Sequence, residues 1–356
     1  MHILIPGLQA SIVLQSIIFT FFMISNQRVN LLPSKLVMLL MGILSTQMIF
    51  NLINQHLSSF SLPNIVFGFG MFYGPIVYLY LKAMMYADFY WRKRYLFHFF
   101  PGILLSLTAV MTQVSANLGA AFIFVSIGGY LLVTISSYLK FRRVIKHTQS
   151  AEDHIAMSWA AMVLVINGIV LTINIVSVIL AIQTGKSQWY ALSEMSLFVM
   201  LMVMLNIFLL KGLSQPLVFN GISQEDETIT EASHENGVAN VLEPAICKRI
   251  EQHLSAYMCD KRPFLDPMFS LQALARKLGE SPRNLSIYIN QHLESNFADF
   301  VNQYRLAEVK THLIDTDDKR TFIDIAYASG FSTKSNFNRA FKKHEGITPS
   351  EFKRRG

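Results

Sequence analysis

The chain has 356 residues, of which 52% are hydrophobic and 15% charged, with 30 Lys and Arg against 23 Asp and Glu. That balance lies well off the one soluble proteins keep and points to lipid as the solvent for much of the sequence, while the length leaves room for two or three domains. A formal charge of +7 suits nucleic acid, anionic lipid or basic cytoplasmic loops alike, and two cysteines, Cys247 and Cys259, argue against a disulfide framework.

Up to Lys211 the apolar residues come in runs of about twenty, the length that crosses a bilayer as helix. Seven such runs are expected, near 5 to 25, 36 to 54, 64 to 86, 96 to 115, 118 to 139, 159 to 182 and 189 to 210. The first has no Lys or Arg before it and no small-residue cleavage site after it, so it reads as a retained helix. Alternate connections hold Arg28 and Lys35, then Lys82, Arg92, Lys93 and Arg94, then Lys140, Arg142, Arg143 and Lys146, with Lys211 after the last run, whereas the opposite side offers Lys186. Basic loops stay cytoplasmic, so the N-terminus is expected outside and everything beyond Lys211 inside. Tyr86, Trp91, Trp159, Trp189 and Tyr190 fall at run ends, where aromatic rings favour the interface.

Within the runs, Gly70 and Gly74 form a GxxxG pair that serves either dimerisation or close packing inside the bundle. Glu194 is a carboxylate about one turn inside the last run, and Asn167 and Asn174 share one helix face; these three are the candidates for sensing a signal, set against interfacial solvation and interhelical hydrogen bonding. Neither paired midplane charges nor a repeat supports a transporter, and no catalytic constellation supports an intramembrane enzyme. A bundle that serves only as anchor and dimeriser is the remaining alternative.

Ser214 to Glu243 carries Glu225, Asp226, Glu227, Glu231, Glu235 and Glu243 and no Lys or Arg, as expected of a flexible linker with a typical span near 30 Å. The implied organisation is a membrane domain over 1–213, an acidic linker over 214–243 and a soluble helical domain over 244–356, where 18 Lys and Arg face 13 Asp and Glu. Cys247, His253 and Cys259 are evenly spaced there, but three ligands without a fourth make a poor zinc site, so no metal is expected.

Two segments of that domain share one layout, near 270–292 and 321–345. In the first, Ser270 caps a helix with an apolar stripe of Leu271, Leu274, Ala275 and Leu278, Gly279 ends it, and Ser281-Pro282 starts a second helix running to about His292. Leu285 and Ile289 face the core, leaving Arg283, Ser286, Ile287 and Asn290 outside. In the second, Thr321 leads Phe322, Ile325 and Ala326 inward, Gly330-Phe331 turns the chain, and Ser332 caps a helix with Phe337, Ala340 and Phe341 buried. Lys334, Ser335, Asn338, Arg339 and Lys342 then form an outer stripe suited to phosphates and base edges in a major groove. A long helix near Phe297 to Ile314 is expected between the copies, and Thr348 with Pro349 should open a short last helix.

The run Asp324-Ile325-Ala326-Tyr327-Ala328-Ser329-Gly330-Phe331-Ser332, followed by Phe337, Arg339, Phe341-Lys342-Lys343, Gly346 and Thr348-Pro349-Ser350-Glu351-Phe352, resembles the second-motif signature of the AraC/XylS-type regulators. The resemblance covers roughly 262 to 356 and implies two helix-turn-helix units joined by a rigid helix, each placing one helix in successive major grooves. The membrane half resembles a subgroup with a multi-pass sensor, through Gly74-Pro75-Ile76-Val77-Tyr78-Leu79-Tyr80-Leu81-Lys82. Ile287 departs from relatives that carry a base-reading Arg at that position. The expected protein is therefore all-α: a seven-helix transmembrane bundle followed by a tandem helix-turn-helix domain, a regulator and not an enzyme, with no cofactor. It is placed in the bacterial inner membrane. Its expected partners are double-stranded DNA, membrane lipid, RNA polymerase, a second copy of the chain and an unidentified small-molecule or physical signal.

Overall fold

A computed structural model of the chain describes residues 4–25, 32–56, 66–86, 88–111, 116–150, 155–185, 188–189, 191, 195–203, 206, 242–315 and 319–355. Among these no strand occurs, and one isolated antiparallel bridge pairs Gln149 with Ser270. The chain divides into two units. The first holds the residues up to Tyr138 and those from Trp159; the second holds Leu139–Ser158 with the C-terminal part.

The first unit begins with α1 (Leu4–Ser25) and α2 (Leu32–His56), followed by α3 (Val66–Met85). A seven-residue 3-10 stretch, Lys93–Phe99, leads into α4 (Phe100–Met111), and α5 (Ala116–Thr148) and α6 (Ile155–Thr184) follow. Among the described residues, four helical stretches are long and apolar enough to cross a membrane: Leu4–Ser25, Leu32–Gln55, Leu118–Thr148 and Ser158–Thr184. Their hydroxyls turn back onto their own helices, as Ser16 Oγ does to Ile12 O at 2.8 Å and Thr20 Oγ1 to Ser16 O at 2.8 Å, which removes bare polar groups from an apolar surface.

The third and fourth expected runs take less regular forms. Pro75 sits inside α3, where its missing N–H leaves the Met71 carbonyl without its i+4 donor, and Ser126 Oγ of α5 donates to that oxygen at 3.5 Å. The fourth run is split between the 3-10 stretch and α4, with Pro101 just inside α4, where a regular i→i−4 bond would need the N–H that proline lacks. The seventh run lies largely outside the described residues, which resolve a helical stretch over 195–203. A Cβ on Gly70 would meet the Ile123 side chain and one on Gly74 the Tyr130 ring, so this glycine pair lets α3 approach α5 within the unit. Tyr86 and Trp159, expected at the interface, are buried, and Trp159 Nε1 donates to Tyr80 Oη at 2.9 Å.

Among the described residues the second unit contains the last turns of α5, the first turn of α6 and seven further α-helices: α7 (Pro244–Lys261), α8 (Leu271–Leu278), α9 (Pro282–Gln291), α10 (Phe297–Ile314), α11 (Phe322–Ala328), α12 (Lys334–Glu345) and α13 (Pro349–Arg355). Two apolar clusters hold it together. One gathers Ile250, Leu254 and Met258 of α7 with Leu271, Leu274, Leu285 and Ile289, and the other gathers Ile325, Phe331, Phe337 and Phe341. Helix α10 serves both, giving Phe297, Phe300 and Val301 to the first and Leu306, Val309 and Leu313 to the second. Each large apolar side chain so buried contributes about 1.5 to 3 kcal/mol, so α10 is fixed against both halves by packing alone.

Candidate nucleic-acid interface

Local chemistry sets each helix end. Ser270 Oγ accepts from Ala273 N and Gly279, at φ +68, ends α8; Ser281 Oγ accepts from Asn284 N at 3.0 Å with Pro282 at the first position of α9. Thr321 and Asp324 form a reciprocal capping box on α11, and Thr348 and Glu351 repeat the arrangement at α13. The hydrogen bonds from the Thr321 side chain and backbone hold the Asp324 carboxyl below its usual range. The cap of α12 is Thr333, whose Oγ1 accepts from Asn336 N at 3.1 Å, and not Ser332, which the sequence reading placed there. Ser332 Oγ is buried without a partner, so one more residue of turn precedes the helix than the Ser-first pattern implied.

Between the two helix-turn-helix units, inside the second compact unit, Arg305 lies wholly buried on α10. Its Nε donates to Phe264 O at 2.7 Å and Nη2 to Asp266 O at 2.8 Å, while Nη1 and Nη2 donate to Ser150 O at 3.1 Å and Ser150 Oγ at 3.0 Å. Burial pushes its pKa down to about 10, with the Asp266 charge acting the other way. Gly330 seats the turn of the second unit against this group. At φ +92, with a would-be Cβ 2.2 Å from Phe264 O and 2.9 Å from Arg305 Nε, no side chain fits there. Lys310 to Glu345 at 2.9 Å and Lys343 to Asp299 at 2.5 Å tie α12 to α10 from outside.

On α12 the buried residues are Asn336, Phe337, Ala340 and Phe341. Lys334, Ser335, Asn338, Arg339 and Lys342 are all exposed, and Arg339 Nη2 donates to Asn336 Oδ1 at 3.1 Å, which orients the guanidinium. The five residues expected on an outer stripe therefore share one open face with three positive charges, the arrangement that meets phosphates and base edges.

On α9 the expected stripe is placed differently. Arg283 is exposed and Asn290 half-buried, but Ser286 and Ile287 are 1% and 3% exposed, and Ile287 belongs to the apolar cluster with Leu285, Tyr288 and Ile289. Asn290 Nδ2 donates to Ser286 Oγ at 3.3 Å, and Asn290 Oδ1 lies 3.2 Å from His147 Nδ1.

In the first unit, Asn167 and Asn174 both line a cavity of about 280 Å³, together with Gln47, Tyr73, Tyr130 and Thr134 in an otherwise apolar wall. Each amide nitrogen donates to its own helix, Asn167 Nδ2 to Val163 O and Asn174 Nδ2 to Val170 O, both at 2.8 Å, and Tyr73 Oη donates to Gln47 Oε1. Glu194 lies outside the described residues. Cys247 Sγ is 3.3 Å from His292 Nε2, and among the described residues no three His, Cys, Asp or Glu side chains are gathered as a metal ion would require.

Arg305, His147 and Ser150 escaped the sequence reading. Arg305 left a trace, a cation placed four residues from Val301 and four from Val309 on the buried stripe of α10. The other two left none, since their partners lie more than 100 residues away in the chain.

A pair of capped helix-turn-helix units stands on one connecting helix with an open basic stripe, and the family model described as "Helix-turn-helix domain" matches residues 274–355. Relatives over the same region are named as regulators. The uncharacterized HTH-type transcriptional regulator YtdP of Bacillus subtilis is 34% identical over 24% of this chain and 11% of its own length. The HTH-type transcriptional regulator GlxA of Rhizobium meliloti is 35% identical over 23% and 25%, and the probable transcription factor PqrA of Proteus vulgaris is 37% identical over 20% and 65%. The chain thus spans less than two thirds of these relatives' lengths. A solved structure of a protein of unknown function from Listeria innocua is 28% identical, with a TM-score of 0.26, over 30% of this chain and 95% of that one.

Proposed function

We propose that this chain is a membrane-embedded one-component transcription regulator of the bacterial inner membrane. In this reading seven helices span the bilayer with the N-terminus outside, an acidic linker over 214–243 follows, and the domain over 244–356 binds double-stranded DNA in the cytoplasm. The observation that carries it is the exposed stripe Lys334, Ser335, Asn338, Arg339 and Lys342 in a chain that also holds four membrane-length apolar helices. Arg283, Ser286, Ile287 and Asn290 are the second reader, and RNA polymerase and a second copy of the chain complete the regulatory complex.

The membrane domain is read as a sensor. A pure anchor has no use for an internal cavity, whereas an apolar wall with a few convergent polar groups suits an apolar molecule carrying one or two hydrogen-bonding groups. Asn167 and Asn174 are assigned to that ligand, with Glu194 as a second candidate nearer the outer side.

Two measurements test the reading. Reporter fusions after residues 60, 116 and 186 should behave as periplasmic and those after 90, 148 and 220 as cytoplasmic; a periplasmic signal after 220 removes access to DNA and overturns it. The full chain in lipid nanodiscs should bind duplex DNA with an affinity that falls steeply with salt.

A further inference from the structure

Five successive residues of α9, Leu285 to Ile289, are buried. At about 100° per residue they sweep the whole circumference of the helix; Leu285, Ile287, Tyr288 and Ile289 belong to the apolar cluster, which leaves the burial of Ser286 to be accounted for by another segment. The side away from Leu285 and Ile289 carries Ser286, and there the contact from elsewhere in the chain is His147, bonded to Asn290, which is in turn bonded to Ser286.

The residues after His147 are fastened to the same domain. Gln149 pairs with Ser270, the cap of α8. Ser150 is fully buried with every polar atom engaged: N donates to Phe269 O at 3.1 Å, O accepts from Arg305 Nη1, and Oγ accepts from Arg305 Nη2 and donates to Pro267 O at 3.4 Å. Val144, Ile145 and Thr148, on the last turns of α5, are buried as well. This is more fastening than a passing loop needs, and its far end rests on the helix face that would enter a groove.

We propose that residues 147–150 form an autoinhibitory clamp on the first helix-turn-helix unit. Docked, the clamp covers the Ser286 and Asn290 side of α9 and leaves α12 as the open reader; undocked, it releases Ser286 and Asn290 and allows both helices to read. The proposal rests on the DNA-binding function above. The lever is α5 itself, which runs unbroken from Ala116 to Thr148, contributes Ile127, Tyr130 and Thr134 to the cavity wall, and ends in the clamp. A ligand that shifts α5 acts on His147 through one continuous helix.

The test uses the full chain in nanodiscs and a pool of random-sequence duplex DNA carried through rounds of selection, with the bound sites mapped by hydroxyl-radical footprinting. The wild-type chain should protect one major-groove segment. Ser150→Leu, which lacks the hydroxyl that accepts from Arg305 Nη2 and does not fit the site, should protect two segments about 10 base pairs apart and bind about tenfold or more tightly. Because that variant also disturbs Arg305, two milder changes accompany it. His147→Ala, at a half-exposed residue, should shift the footprint the same way by a smaller amount. Gln149→Cys with Ser270→Cys, in a chain whose Cys247 and Cys259 are replaced by Ser, places two thiols at bridged positions; oxidation should abolish protection of the second segment and dithiothreitol should restore the wild-type pattern. A wild-type chain that already protects two segments with the affinity of His147→Ala, together with a double-cysteine chain whose footprint oxidation leaves unchanged, overturns the clamp while leaving DNA binding intact. Failure of every form to bind any duplex overturns the DNA-binding reading itself.

Discussion

In the first helix-turn-helix unit the second helix is buried at five consecutive positions, whereas on α12 burial keeps to Asn336, Phe337, Ala340 and Phe341 and the stripe beside them stays open. The two units are otherwise built by the same rules. Each has a side-chain cap on both helices, a glycine at positive φ in its turn and an apolar face against α10. The difference lies in what comes from outside the repeat: α12 is tied to α10 by ion pairs at its edge, while α9 carries His147 on its outer side. Sequence similarity between repeats thus reports how a helix is held and says little about what is laid over it.

The largest expected effect comes from Gly330→Ala. Left-handed strain together with a Cβ pressed against Phe264 O should cost about 3 kcal/mol, and thermal melts of the full chain should show both helix-turn-helix units losing structure together, because Phe264 and Arg305 lie where they meet. Independent melting of the two units would break the comparison at its root. Arg305→Met comes next. It leaves the carbonyls of Phe264 and Ser150 without their donor, and that of Asp266 with Phe269 N alone, and should cost about 2 kcal/mol by chemical denaturation, with Ser150 becoming accessible to proteolysis before the helix-turn-helix units do.

Smaller effects sharpen the asymmetry. Asn338→Ala should weaken binding of a selected DNA site by about 1 to 3 kcal/mol in the wild-type chain. Asn290→Ala should weaken it only in the Ser150→Leu background, where α9 is free to read. Equal losses from both substitutions in the wild-type chain would mean that both helices read alike. The smallest effect belongs to the capping box of α11. Since the Asp324 pKa is lowered by folding, its contribution is present above the ordinary carboxylate value of about 4 and is lost as pH falls through the lowered folded value. Helicity of the second unit should therefore decline in that acid window, and Asp324→Asn should remove the dependence.

Much of the DNA-binding architecture was legible because its determinants are local. Caps such as Ser270, Ser281 and Thr321 act within three residues, the apolar periods of α8 to α12 are those of single helices, and α10 runs from Phe297 to Ile314 as its pattern indicates. The stripe on α12 was legible for the same reason. Ser286 and Ile287 were misjudged as open because helical periodicity divides a helix into an inside and an outside and assigns water to the second, which holds only until another segment docks. Apolar run length identified membrane-length helices but could not tell a regular span from the stretch where Pro101 divides a 3-10 turn from α4. Trp159 and Tyr86 were read as interfacial from their positions at run ends, and their burial depends on packing with other helices that no local pattern records.

The four bonds of Arg305 have a consequence for hydration. Two of them end on Ser150, so whenever that residue leaves, a guanidinium sealed from solvent must take up water to replace a carbonyl and a hydroxyl. The open form then binds more water than the closed form, and the balance between them becomes sensitive to the osmotic strength of the surrounding solution. Osmolytes excluded from protein surfaces should favour the sealed arrangement, and dilution should favour the wet one.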